Sequence, residues 1–140
     1  MNPACQIKVG TYRLGHENIT LYAAKENSGG DFCVCSDDGV GFISIGIKDR
    51  WGDVLSVLLH EMLEYAFARL DVRYVKPNRW ADNAAACTFH FDHQEFSEAV
   101  AIVGNCLSEC APAIRDVYMK HTKSDKGEPV AKKRKGKKNP

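Results

Sequence analysis

The segment from Asp53 to Leu70, which contains the run VLLHEMLEY from Val57 to Tyr65, constrains the fold more than any other stretch of this chain. Asp49 or Asp53 can cap it as a helix. On a wheel of about 100° per residue, Leu55, Leu58, Leu59, Met62, Leu63, Tyr65, Ala66 and Leu70 form a broad apolar arc. Asp53, Ser56, His60, Glu61, Glu64 and Asp71 take the remainder, bordered by Val57, Phe67 and Ala68. That remainder holds no Lys or Arg, which would mark a freely solvated face, so it reads as a polar seam lining a cleft. His60 and Glu64 stand four residues apart and therefore one turn apart on the same face, where both can reach one ion.

Sequence before this helix reads as strands. Gln6 to Leu14, Ile19 to Ala24, Phe32 to Cys35 and Val40 to Ile47 are separated by clusters such as Gly15-His16-Glu17-Asn18 and Asp37-Asp38-Gly39, which favour turns. These strands should pair mostly as hairpins. In the fourth, Ile43, Ile45 and Ile47 share one face. After the helix, Val72 to Val75 forms a short strand, and Ala84 to Phe91 returns to an extended pattern. Asp92 followed by Glu95 makes a capping box, so a second long helix begins near His93 and runs to about Cys110. Pro112 opens a last helix to about His121, because proline suits a first turn and breaks an interior.

The expectation is an α+β fold: one domain over residues 1–121, in which an antiparallel sheet from residues 6–47 and 84–92 packs against helices at 53–70 and 94–110. With 140 residues, 44% hydrophobic and 26% charged, the chain is large enough for one core. No apolar run approaches the ~20 residues that span a bilayer, and the start has neither a basic nor a long apolar region, so a membrane partner is not expected and the reading is cytoplasmic. Cys5, Cys33, Cys35, Cys87, Cys106 and Cys110 then read as reduced thiols behaving as small buried hydrophobes. An alternative draws Cys33, Cys35, Cys106 and Cys110 together around zinc, but CxC and CxxxC are not zinc-ribbon spacings.

The net charge of +1 conceals an asymmetry. From Lys120 onward nine Lys or Arg face only Asp125 and Glu128, a balance of +7 that leaves −6 on residues 1–119. Residues 122–140 read as a disordered basic tail, too poor in apolar side chains to bury itself. Lys132, Lys133, Arg134, Lys135, Lys137 and Lys138 can contact nucleic acid or an acidic protein, but no aromatic is interleaved for base stacking.

A strand, a short loop and a helix bearing HExxH is how zinc-dependent peptidases of the zincin type present their metal site, and Gly41 to Tyr65 resembles that arrangement. The resemblance implies zinc as cofactor, His60 as the first ligand and Glu61 as the general base on a metal-activated water. Glu64 stands where the second histidine belongs, giving HExxE. A carboxylate ligates zinc at nearly the same distance as imidazole, but its charge makes the metal a weaker Lewis acid. The third ligand implied from downstream is His93, with His90 and Glu98 as alternatives and Asp92 as a partner that orients a histidine. The expected function is a small zinc-dependent, peptidase-like hydrolase. The alternative is a non-enzymatic binding or inhibitor protein, of the compact kind carried by phages and other mobile elements, that docks a protein or peptide partner on the same scaffold.

Overall fold

In a computed structural model, residues 6–25, 29–34, 39–75 and 87–125 are described. They form an α+β structure in the order β1 (Gln6–Leu14), β2 (Glu17–Ala24), β3 (Gly30–Cys33), β4 (Gly41–Gly46), α1 (Trp51–Arg69), β5 (Arg73–Val75), β6 (Cys87–Phe89) and α2 (His93–Asp125).

β1 and β2 form the expected hairpin, closed by Gly15 at a φ of 65°, a conformation open to glycine without steric cost. β3 and β4 are also antiparallel. The sheet is not a simple meander, however: its order is β1-β2-β4-β3, with β4 inserted beside β2 as a parallel neighbour, Leu21 opposite Ile43 and Ala23 opposite Ile45. Burial explains the insertion. β4 is buried at every position but Phe42, and a strand enclosed on both faces belongs in the sheet interior. β3, only four residues long and carrying Gly30 and Asp31, takes the edge.

The core lies between one face of this sheet and the two helices. Ile19, Leu21, Ile43 and Ile45 are fully buried there beside Val54, Leu58, Met62 and Tyr65 of α1 and Ala99, Val103, Cys106 and Ile114 of α2. α1 packs over β4 and β3, α2 over β1, and the helices touch each other.

Two expectations are corrected. Cys87–Phe89 does not join the main sheet but pairs with Arg73–Val75 in a separate antiparallel ribbon. Pro112 does not start a helix: α2 continues unbroken from His93 through Pro112 to Asp125. Proline removes one helical hydrogen bond, but contacts on both sides hold the helix on its course. Cys110 and Ile114 are fully buried, and beyond them the Tyr118 hydroxyl donates to the Asp49 carbonyl at 2.9 Å while its ring meets Trp51 at 5.5 Å. The capping box is present, with Glu95 N donating to Asp92 Oδ1 at 2.9 Å and Asp92 N donating to Glu95 Oε2 at 2.8 Å. Among the described residues no helix is long and apolar enough to cross a membrane.

Candidate functional site

The buried stripe of α1 follows helical spacing through Val54, Leu58, Glu61 and Tyr65, with Glu61 at the edge of the core-facing side. This corrects the wheel reading, which grouped Glu61 with the polar remainder and Leu59 with the apolar arc. Glu61 is 8% exposed and Leu59 is 41% exposed. His60, one residue on, points outward with 65% of its side chain accessible, and Glu64 stands between the two at 21%.

His60 Nε2 and Glu64 Oε1 are 3.2 Å apart, so the pair forecast from spacing does converge. The other carboxylate oxygen is also engaged: Arg73 Nη2 lies 3.0 Å from Glu64 Oε2. A tight helix ending brings Arg73 there. Asp71 adopts a φ of 57°, Asp71 N donates to the Ala68 carbonyl, and Val72 N reaches back to the Phe67 carbonyl at 3.0 Å, a Schellman closure that folds β5 against α1. The guanidinium then lies over the Phe32 ring of β3, 5.0 Å from its centroid, and Phe32 meets Tyr65 edge-on at 6.0 Å. Arg73 Nε is buried without a hydrogen-bond partner among the described residues. No spacing rule singles out Arg73, since only the turn at Asp71 and the packing of Phe32 bring it to Glu64.

Glu61 makes no hydrogen bond or ion pair among the described residues. Its side chain lies against the backbone of Gly30, where a Cβ would collide with its Cγ and carboxyl group, so the glycine is needed for that approach. Burial pushes the Glu61 carboxyl above the ordinary range, Glu64 and Asp31 add to the rise, and His60 and Arg73 oppose it. Its carboxyl faces an open cavity of about 320 Å³ lined by Gly29, Gly30, Lys48, Ser56 and His60.

For a zinc ion, His60 and Glu64 fit as two donors, but the remaining donors do not gather around them. Among the described residues, no three His, Cys, Asp or Glu side chains form a group able to hold a metal. His90 and His93 are exposed at the entrance to α2, where His90 N donates to the Val72 carbonyl and the His93 carbonyl accepts from Ser97 Oγ. Glu98 lines a different cavity, of about 230 Å³, beneath the β1–β2 turn. Asp92 spends its carboxylate on the helix cap. The thiol alternative fails on topology: Cys33 sits on edge strand β3, whereas Cys106 and Cys110 lie on α2 over β1, three strand spacings away at about 4.8 Å each. The fully buried Cys106 donates to Cys110, and this hydrogen bond together with burial pushes its thiol well above the usual range, as suits an inert core group. Cys35 and the basic residues Lys132, Lys133, Arg134, Lys135, Lys137 and Lys138 lie outside the described residues.

A polar cluster that the sequence did not announce closes the far end of α1. Glu17 Oε2 accepts from the Tyr65 hydroxyl at 3.0 Å and from Arg69 Nε at 2.6 Å, with Arg69 Nη2 against Oε1. Gly41 makes room for it, since a Cβ there would strike the Tyr65 hydroxyl. Both Glu17 oxygens are thus engaged, and the cluster works as a clamp between β2 and α1.

In comparisons with known proteins, no family model matches this chain, and neither a curated protein nor a solved structure does.

Proposed function

We propose that this chain is a small zinc-binding protein of zincin-like design that acts as a hydrolase, with His60 and Glu64 as metal donors and Glu61 as the proton acceptor. One observation carries the reading: a His–Glu pair 3.2 Å apart stands beside the buried Glu61, whose carboxyl is unpartnered among the described residues and faces an open cavity. Zinc, when bound, supplies an acidified water and a positive charge for the oxyanion of an attacked carbonyl. The chain's own residues do the rest. Glu61, raised above the ordinary carboxyl range by burial, holds a proton more firmly than a solvated carboxylate and so is the stronger base. Arg73 offsets the negative charge of Glu64 and holds the carboxylate against the helix, at the same time competing for one of its oxygens.

Among the described residues two side chains, His60 and Glu64, stand together as donors, so metal affinity depends on both. Equilibrium dialysis of the full chain against zinc tests this. The wild type should retain about one zinc per chain, His60→Ala and Glu64→Ala should lose it, and Glu61→Gln should keep it while abolishing hydrolysis. Protein that binds no zinc would overturn the metal reading. If zinc is bound, a loss in His93→Ala or in His90→Ala identifies a further donor.

A second reading, a non-enzymatic binding protein, draws on a different surface. Phe89, Phe91 and Phe96 are 37–42% exposed, Phe91 stacks on Phe67 at 5.1 Å and on Phe96 at 5.6 Å, and such exposed aromatics serve as anchors in protein interfaces. On either reading we place the protein in the cytoplasm, in keeping with the buried thiols Cys106 and Cys110.

A further inference from the structure

The cavity beside Glu61 has two chemically different ends. Ser56 lies one turn before His60 on α1, so the lining polar groups are spread over about one 5.4 Å turn of helix. At one end are His60 and Glu61, a residue 8% exposed whose carboxyl is unpartnered among the described residues. Toward the start of the helix are Ser56 and Lys48, the latter a partly buried residue just before α1 that forms no ion pair with any described residue. Arg73 is already committed to Glu64, so among the described residues Lys48 is the cation this cavity offers to a ligand. The volume of about 320 Å³ is that of a small-ligand site.

We infer that this cavity selects a ligand bearing a carboxylate, held by Lys48 Nζ and the Ser56 hydroxyl about one helical turn from the His60–Glu61 end. The inference deepens the hydrolase reading, on which it rests for the reacting end: the substrate is an acidic peptide whose carboxylate sits beside the bond presented to Glu61. That carboxylate belongs either to an Asp or Glu side chain or to the peptide's C-terminus.

Three probes separate these sources in NMR titrations of the full chain: N-acetyl-glutamate amide, with a side-chain carboxylate only; N-acetyl-glutamine, with a terminal one only; and N-acetyl-glutamine amide, with neither. At least one carboxylate probe should bind about tenfold more tightly than the neutral amide, the size expected of one charge-assisted contact. It should shift the Ser56 amide and His60 ring signals. Lys48→Met should remove that preference and Lys48→Arg should restore it. Equal binding of all three probes, no binding of any, or a preference that survives Lys48→Met would overturn the inference. The two proposals fail separately: zinc uptake without a Lys48-dependent preference leaves the metal reading standing, and a Lys48-dependent preference in a chain that takes up no zinc leaves the carboxylate site standing.

Discussion

Glu61 carries a carboxyl group at the edge of the core side of a helix, held against a glycine backbone with no partner among the described residues, and that placement costs stability whenever the group is ionised. Because its folded-state pKa is raised, the protonated form is favoured in the folded protein. The contribution to stability is fully present below the unfolded value of about 4.3 and is lost as pH rises through the folded value. Glu61→Gln, a mimic of the protonated form, should therefore be more stable than the wild type at pH 7, and the gain should vanish toward pH 4. Denaturant unfolding at the two pH values checks this; a glutamine variant destabilised at both would refute the assignment. Arg73 gives a complementary test. Its removal frees Glu64 Oε2, so Arg73→Ala should tighten zinc binding if competition for the oxygen outweighs charge compensation. The position of Glu61 was legible from the sequence, since it falls seven residues after Val54 and four before Tyr65 on the apolar stripe; assigning it to the polar face by residue type obscured this. Arg73 was not legible, because its place depends on the left-handed turn at Asp71 and on the ring of Phe32 from a distant strand.

Among the elements, β1, β2, β4 and α1 were marked by alternation or helical periodicity, and the capping box at Asp92 fixed the start of α2 within a residue. Asp92→Ala should cost about 1 kcal/mol in thermal or chemical unfolding, the usual loss for an N-cap. What local patterns did not show was strand order: the insertion of β4 between β2 and β3 depends on which strand is buried on both faces, a property of the assembled sheet. Pro112 is a second case in which packing overrides local preference, with buried Cys110 and Ile114 flanking the missing hydrogen bond. Pro112→Ala should stabilise α2, by about 1–3 kcal/mol from helix preference, and an unchanged or lowered melting temperature would show that proline fits this turn without penalty.

At the scale of the whole molecule, the sheet and helices place two distinct polar arrangements along α1. Toward its end, Glu17, Tyr65 and Arg69 clamp the helix to β2. A turn or two earlier, His60, Glu61 and Glu64 stand between edge strand β3 and the ribbon that carries Arg73. The first holds α1 in place, and the second is where we propose the metal chemistry of the HExxE spacing. The pairing of His60 with Glu64 was legible because it lies within one helix, whereas the gathering of further donors depends on the arrangement of the whole fold. The most direct test of the central claim is the zinc content of the purified full chain, measured for the wild type, His60→Ala and Glu64→Ala. The account predicts about one zinc per wild-type chain and none in either variant. Wild-type protein free of zinc after dialysis against it, or variants that retain it undiminished, would contradict the account.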